Sequence, residues 1–201
     1  MDGGRAGRRP GGEAMDEGAV ILRCQAGDAS AFEAIVTTYM RRAAAFALAW
    51  SGSREDALDL SQEAFARAFR AIGRFDAARP FYPWFHRILR NLCIDHAARA
   101  RRRREFAVDA PEEADGRPGP EALREADETA RLVRTALDRL NDADREILIL
   151  REFQGLRYAE IAATLDIPPG TVMSRLHQAR LRLRERLRAV GLGDAEGRAG
   201  R

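Results

Sequence analysis

The arginine-rich stretch near the end of the chain carries the clearest chemical signal in the sequence. Six arginines lie between residues 175 and 188, and the only acid among them is Glu185. They are Arg175, Arg180, Arg182, Arg184, Arg186 and Arg188. A guanidinium group binds phosphate in a planar, bidentate manner, so a helix carrying this series suits a DNA backbone. A solvated helix face would explain the same arginines equally well, and the preceding segment has to decide between the two interpretations.

That preceding segment has the pattern of a helix-turn-helix unit, which we place at about residues 141–188. Residues 158–165 form a short helical pattern, residues 166–170 interrupt it with two prolines and a glycine, and a second helix is expected from Thr171 to about Val190. Thr171 and Ser174 begin this second helix, where side chains reach base edges or phosphates. The expected apolar wedge between the helices comprises Ile161, Leu165, Ile167, Val172 and Leu176, with the small Ala162 beside it.

A second group of polar residues lies on an earlier predicted helix. Asp56, Asp59, Gln62 and Glu63 are spaced by three, three and one residues, which places them along one side of a helix. A carboxylate cluster can hold a metal, but no histidine joins it, and the helix dipole alone favours acids in a first turn. We therefore predict no metal site and no cofactor. The chain also lacks a recognisable nucleophile–base pair, so it is not predicted to be an enzyme.

Composition restricts the remaining classes of protein. The 201-residue chain is 45% hydrophobic and 32% charged, which is typical of a folded, soluble protein. No apolar run approaches the roughly 18 residues that a membrane span needs, and residues 1–12 lack the apolar core of a secretory signal. We expect a cytoplasmic protein without membrane insertion. Cys24 and Cys93 have no neighbours at zinc-ligand spacing and are predicted to be reduced, packed thiols.

The first half of the chain is predicted to be helical. The first helix is expected to begin near Asp28, and a second opens with Ser53 and Asp56 in capping-box spacing and stops at Gly73. An aromatic loop is expected to extend as far as Pro83, and a third helix to start around Trp84. No segment alternates between apolar and polar residues, so the fold class is predicted to be all-α.

Charge divides the chain into five parts. A flexible leader is expected at 1–18 and a flexible tail at 191–201, with helical domains at 19–104 and 131–190. Residues 105–130 carry a net charge of −7, whereas residues 19–104 carry +7 and the second domain carries +4 up to Arg188. This proline-containing acidic stretch is predicted to be a flexible linker, able to span about 28 Å when relaxed and about 85 Å when fully extended.

Three motifs resemble the sigma-70 family of bacterial RNA polymerase sigma factors, in its extracytoplasmic-function branch. Glu160-Ile-Ala with Ile167-Pro-Pro-Gly-Thr-Val-Met-Ser-Arg-Leu-His-Gln-Ala-Arg180 is similar to sigma region 4.2. Asp59-Leu-Ser-Gln-Glu-Ala-Phe65 resembles region 2.2, and the stretch from Phe81 to Asp95 resembles regions 2.3 and 2.4. The resemblance covers about residues 19–190, with the motifs in the family's order.

The resemblance implies specific roles. Asp56, Asp59, Gln62 and Glu63 would bind the clamp helices of the polymerase β′ subunit, and the second domain would bind the β flap. The residues implied at the −10 promoter element, which the family reads and melts, are Phe81, Tyr82, Arg90, Asn91, Arg99 and Arg101. Those implied at the −35 element are Thr171, Ser174, Arg175, Gln178, Arg180 and Arg182. Many family members have arginine at the position of Gln178, although glutamine can also contact a base edge. An anti-sigma factor is the expected regulator.

Two other functions would fit parts of the sequence. An ordinary helix-turn-helix repressor or activator would bind duplex DNA without polymerase, but it leaves the region 2.2-like helix and the aromatic loop unexplained. A nuclease with a DNA-binding tail would need a catalytic cluster that the sequence does not show. The leading hypothesis is therefore a dissociable specificity subunit that binds core RNA polymerase and promoter DNA.

Overall fold

The computed structural model describes residues 15–106 and 121–192, and for 104–106 and 121–127 it gives the backbone alone. Within these ranges the chain forms eight α-helices and no strand, which confirms the predicted all-α class. The helices are α1 (Glu17–Gln25), α2 (Phe32–Ser51), α3 (Arg54–Ala71), α4 (Phe81–Phe106), α5 (Glu121–Asp138), α6 (Asp142–Leu148), α7 (Tyr158–Leu165) and α8 (Pro169–Ala189).

Short polar side chains determine where several helices begin. Ser53 Oγ accepts a hydrogen bond from the Asp56 backbone N–H at 3.2 Å at the start of α3. Asn141 Oδ1 accepts from the Asp144 backbone N–H at 2.9 Å at the start of α6. Each bond satisfies one of the amide groups that a helix N-terminus leaves unpaired. The predicted helix start at Ser53 is confirmed, and Asn141 caps α6 in the same way.

The N-terminal part of the described chain differs from the prediction. Helix α1 begins at Glu17, and Asp16 caps it by accepting from the Ala19 backbone N–H at 3.1 Å. The expected flexible leader therefore ends too late, while its residues 1–14 lie outside the described residues. Asp28, predicted to open the first helix, instead caps a short 3₁₀ turn that leads into α2.

Helix α4 also begins earlier than predicted, because a proline in its first turn is compatible with a helix. Phe81 and Tyr82, expected in a loop, are its first two residues, and Pro83 follows them. A proline at this position removes an N–H that would have no partner in the helix, and its fixed φ angle suits the helix. The predicted start at Trp84 was therefore wrong.

The predicted linker is shortened at both ends. Helix α4 extends through Phe106 and α5 begins at Glu121, so the first and last residues of the 105–130 segment are helical. Residues 107–120 lie outside the described residues, as does most of the predicted tail.

The first domain packs α2, α3 and α4 around an aromatic core. Phe46, Phe81 and Phe85 are completely buried. The rings of Phe65 and Phe85 stack with their centroids 4.4 Å apart, and those of Phe81 and Phe85 stack at 5.6 Å. This core holds α4 at a fixed rotation, and that rotation determines which residues of α4 reach the surface.

The second domain forms the predicted helix-turn-helix. Ile161 and Val172 are completely buried between α7 and α8, Leu176 is 1% exposed, and Leu165 and Ile167 pack against them at the edge. The turn passes through Asp166, whose φ of 55° is in the left-handed region and ends α7. The predicted apolar wedge is confirmed, and it positions α8 against α6 and α7.

Both cysteines are free and buried, as predicted. Burial raises the pKa of Cys93 to about 12, and it raises the pKa of Cys24 to a smaller extent. Alkylating reagents react with the thiolate, so both thiols should react slowly in the folded protein. With iodoacetamide at pH 8, we expect Cys93 to be modified more slowly than Cys24, and both at the rate of a free cysteine after unfolding in urea. Peptide mass mapping over time measures this. Equal rates for the two cysteines in the native protein would contradict the burial of Cys93.

Candidate nucleic-acid interface

Helix α8 presents one polar side to solvent. Ser174, Arg175 and Gln178 are exposed and Thr171 is half-buried, whereas Val172 on the adjacent side is in the core. The spacing of three and four residues keeps these four side chains on one side of the helix. Ser174 Oγ donates to the Thr171 carbonyl at 3.0 Å, which leaves the Ser174 oxygen free to accept a second hydrogen bond. Arg175 makes no ion pair with any described residue.

The two later arginines of the predicted −35 set are held by acids of their own domain. Arg180 donates to Glu152 Oε1 from Nε at 3.1 Å and from Nη2 at 2.6 Å, and this carboxylate raises the pKa of Arg180. Arg182 Nη1 lies 2.6 Å from Asp144 Oδ2. Arg180 follows Thr171 by nine residues, or about two and a half helical turns, so it points away from the exposed polar side. The six predicted residues therefore do not form one continuous surface.

The predicted −10 residues lie in two environments along α4. Asn91, Arg99 and Arg101 are exposed. Arg90 is half-buried, and its Nε donates to Glu146 Oε2 of the second domain at 2.7 Å. The solvent-facing part of the set is thus the middle and the C-terminal half of α4.

The two aromatic residues of that set are buried. Phe81 is 0% exposed, among Phe32, Tyr39 and Phe85, and has no face on which a base could stack in this arrangement. Tyr82 is 5% exposed, and its hydroxyl donates to Gln154 Oε1 at 2.8 Å. Because Gln154 belongs to the second domain, the polar end of Tyr82 is covered by that domain.

The acidic side of α3 remains largely accessible. Asp59 and Gln62 are exposed, with the exposed Leu58 beside them. Glu63 Oε1 accepts from Arg67 Nε at 2.7 Å, which lowers the pKa of Glu63. Asp56 lies 3.6 Å from His96 of α4, so it faces the neighbouring helix more than the other three do.

The two domains contact each other through polar groups on α2 and α4. His86 is 1% exposed, and its Nε2 lies 2.9 Å from Glu146 Oε1. Arg145 Nη2 donates to the backbone carbonyls of Ala49 and Trp50 at 2.8 and 3.2 Å. Its guanidinium lies over the Trp50 ring, 4.5 Å from the centroid, and burial lowers its pKa.

Sequence reasoning missed the residues that form this contact. Glu146 and His86 are 60 positions apart, and Arg87 and Asp166, which pair at 3.1 Å, are 79 apart. No local pattern links such residues, because their proximity depends on how two separately folded domains meet. The sequence offered one hint, since Arg145 and Glu146 directly precede the apolar residues of α6, and two buried charges need partners from elsewhere in the chain.

The described residues contain no group of three or more histidine, cysteine, aspartate or glutamate side chains that could hold a metal ion. Over the same residues, no helix has the length and apolar character required to cross a bilayer.

A helical domain with an acidic helix, followed by a helix-turn-helix domain with an arginine-bearing second helix, defines a class of modular DNA-binding proteins. Comparison with protein families makes the class specific. Residues 35–103 match the family model for Sigma-70 region 2, and residues 130–183 match the model for Sigma-70, region 4.

Individual relatives agree with the family models. The chain is 35% identical to the RNA polymerase sigma-H factor of Pseudomonas aeruginosa over 171 residues, which is 80% of this chain and 88% of the relative. It is 34% identical to the ECF RNA polymerase sigma-E factor of Escherichia coli over 177 residues, which is 84% and 92% of the two chains. The chain therefore belongs to the sigma-70 family of RNA polymerase sigma factors, in its extracytoplasmic-function branch.

Solved structures show the same relationship. CnrH, determined in complex with the cytosolic domain of CnrY, matches 87% of this chain and 99% of its own with a TM-score of 0.65 and 26% identity. The sigma factor RpoE of Bartonella quintana, determined with the anti-sigma factor NepR, matches 78% and 96% with a TM-score of 0.54 and 25% identity.

Proposed function

We propose that this protein binds core RNA polymerase, recognises the −35 and −10 elements of its promoters and helps to open the DNA for transcription initiation. The exposed polar side of α8, within a helix-turn-helix domain that follows a region 2 domain, is the observation that carries the proposal. A sigma factor acts by directing polymerase and needs no catalytic group of its own.

The −35 element would be read by the start of α8. Thr171, Ser174, Arg175 and Gln178 lie on its exposed side, where the N-terminal residues of a recognition helix enter the major groove. Gln178 can both donate and accept at a base edge. Arg180 and Arg182 would contact phosphates, and they would have to exchange their carboxylate partners for DNA to do so.

We expect this contact to depend strongly on salt. If about four arginines neutralise phosphates, the logarithm of the affinity should fall with the logarithm of salt concentration at a slope near −3.6. Arg175→Ala should weaken binding of −35 duplex DNA by the reconstituted holoenzyme and reduce the slope by about 0.9. Arg23→Ala on α1, whose partner Asp28 lies in the first domain, is the matched control and should leave the slope unchanged. A flat salt dependence in the unmodified protein would contradict DNA binding by α8.

The −10 element would be read by α4. Asn91 would contact a base, and Arg90, Arg99 and Arg101 would contact the backbone of the melted strand. Tyr82 would stack on a base once Gln154 leaves it, because aromatic rings and arginines together bind unstacked bases. Phe81 would position Tyr82 and the start of α4 from within the core.

Core polymerase would bind the acidic side of α3. Asp59 and Gln62 provide the exposed polar centre, Glu63 and Asp56 flank it, and Leu58 adds an apolar contact. The β′ clamp helices are the proposed partner of this surface, and the β flap is the proposed partner of the second domain. An anti-sigma factor is a proposed regulator, because RpoE was solved in complex with the anti-sigma factor NepR.

Run-off transcription with reconstituted core polymerase tests the proposed function. Promoter sequences selected by the holoenzyme from a random library should share two separated elements, and the protein should be required for their transcription. A protein that bound duplex DNA alone and supported no promoter-specific transcript would instead be a helix-turn-helix regulator.

A further inference from the structure

Two of the α4 residues that the proposed function assigns to the −10 element, Tyr82 and Arg90, are covered by the second domain. Tyr82, His86 and Arg90 are spaced four residues apart, so they lie along one side of the helix. Each of them has a polar atom in contact with the second domain: the Tyr82 hydroxyl lies 2.8 Å from Gln154 Oε1, and His86 Nε2 and Arg90 Nε lie 2.9 and 2.7 Å from the two carboxylate oxygens of Glu146.

Glu146 occupies a position on Arg90 that suits a phosphate. Carboxylate and phosphate oxygens bind a guanidinium group in the same way, as paired acceptors carrying negative charge. Glu146 is 5% exposed, and its carboxylate forms a hydrogen bond with His86 and an ion pair with Arg90, both of the first domain. Both of its partners would be lost if the domains separated, so the carboxylate of Glu146 is paired only in the closed arrangement.

The same contact also contains polar groups without partners. Within the described ranges, the buried side-chain nitrogens that lack a hydrogen bond are Trp50 Nε1, His86 Nδ1 and Arg145 Nε. All three residues lie at the contact, since Arg145 bonds the Trp50 carbonyl and His86 pairs with Glu146. A buried polar atom without a hydrogen bond costs free energy. These three atoms therefore offset part of the stabilisation that the cross-domain hydrogen bonds and ion pairs give to the contact. This balance is expected for a contact that separates during function.

We propose that the second domain is an intramolecular competitor of −10 DNA, with Glu146 standing in for a DNA phosphate on Arg90 and Gln154 covering Tyr82. The proposal rests on the proposed function, since Tyr82 and Arg90 belong to the residues proposed there to bind the −10 element. It predicts that the free protein is closed, that binding of a −10 single strand separates the domains, and that opening the domains strengthens binding of that strand. The last two effects are reciprocal by thermodynamic linkage.

Charge reversal at Glu146 tests the proposal. Glu146→Arg places a like charge beside Arg90 and removes the hydrogen-bond partner of His86, and it removes no ion pair within the second domain. Fluorophores on Thr37→Cys in α2 and Arg188→Cys in α8 report the distance between the domains, because both positions are exposed and the native thiols are buried. In the full-length protein, we expect high energy transfer in the parent, low transfer in the Glu146→Arg variant, and about tenfold tighter binding of a −10 non-template oligonucleotide by the variant.

Two further variants make the result specific. Glu185→Arg introduces the same change of charge on α8, where the glutamate makes no ion pair with a described residue, and it should leave energy transfer unchanged. If it strengthened oligonucleotide binding as much as Glu146→Arg, net charge would explain the effect and the proposal would be overturned. Gln154→Ala removes the amide that bonds Tyr82 and the Arg42 carbonyl, and should open the domains even if Glu146→Arg failed to fold.

The remaining outcomes are also decisive. Low energy transfer in the parent protein would refute the closed arrangement. High transfer in both opening variants would refute the proposal that Glu146 and Gln154 hold the domains together. Low transfer in the variants with unchanged oligonucleotide affinity would refute the competition. Energy transfer needs no polymerase, so a failure of run-off transcription would refute the proposed function separately, while the distance measurement would still decide whether the domains are closed.

Discussion

Replacing Asp59 by arginine together with Gln62→Ala should weaken binding to core RNA polymerase by about a hundredfold, the loss expected when central residues of an interface are removed. Both side chains are exposed on α3 and neither makes an ion pair with a described residue, so the fold should be unaffected. The arginine would introduce a like charge against any basic partner surface, which costs more than a simple truncation. Size-exclusion chromatography and fluorescence anisotropy with core polymerase measure the effect.

A charge reversal elsewhere provides the control for this double variant. Glu33 is exposed on α2 and makes no ion pair with a described residue, so Glu33→Arg changes the net charge without altering α3. It should bind core polymerase as the parent does. Unchanged core binding by the Asp59→Arg, Gln62→Ala variant would show that α3 is not the polymerase-binding helix, whatever the behaviour of the control.

Features that depend on a few neighbouring residues were predictable from the sequence. Ser53 and Asn141 indicate helix starts, because a short polar side chain accepts a hydrogen bond from the backbone N–H three residues later. The spacing of Ile161, Val172 and Leu176 predicts the packing of the helix-turn-helix, because that packing involves residues close in the chain. The errors at this level were also local. Pro83 was taken to exclude a helix that it permits, and the cap at Asp16 was overlooked.

The candidate site was only partly predictable, because its state depends on contacts between distant residues. Arg90 and Arg182 carry the expected charge in the expected helices. Their pairing with Glu146 and Asp144 arises from the tertiary arrangement, which composition does not reveal. The burial of Tyr82 has the same origin, since Gln154 lies 72 positions later in the chain.

Acids of one short segment neutralise arginines proposed to contact both promoter elements. Asp144 and Glu146 lie in α6 and Glu152 in the π-helical turn Ile149–Phe153 that follows it. They pair with Arg182, Arg90 and Arg180 respectively. DNA would therefore have to displace carboxylates at both elements. The cost of breaking these ion pairs would lower the affinity of the protein for each element.

The largest effect on stability is expected for Phe85→Ala. Phe85 is completely buried and stacks on Phe65 at 4.4 Å and on Phe81 at 5.6 Å. Truncating such a ring removes its burial and leaves a cavity, which should lower the free energy of unfolding by about 3–5 kcal/mol. The total for a domain is typically about 5–15 kcal/mol, so the variant should lose a large share of its stability. Urea unfolding followed by circular dichroism measures it, and the midpoint temperature should fall by on the order of 10 °C.

Phe69→Ala is the matched control for this prediction, because it makes the same substitution on the surface. Phe69 is 39% exposed and contacts Phe32 with ring centroids 5.1 Å apart, so its truncation should cost about 1 kcal/mol.

Because the ring stack of Phe65, Phe81 and Phe85 also fixes the rotation of α4, Phe85→Ala should weaken binding of a −10 oligonucleotide at temperatures where the variant is still folded. Equal losses of stability in the two variants would show that the aromatic stack does not form the core of the first domain. A folded Phe85→Ala variant with full oligonucleotide affinity would show that the core does not position α4 for DNA.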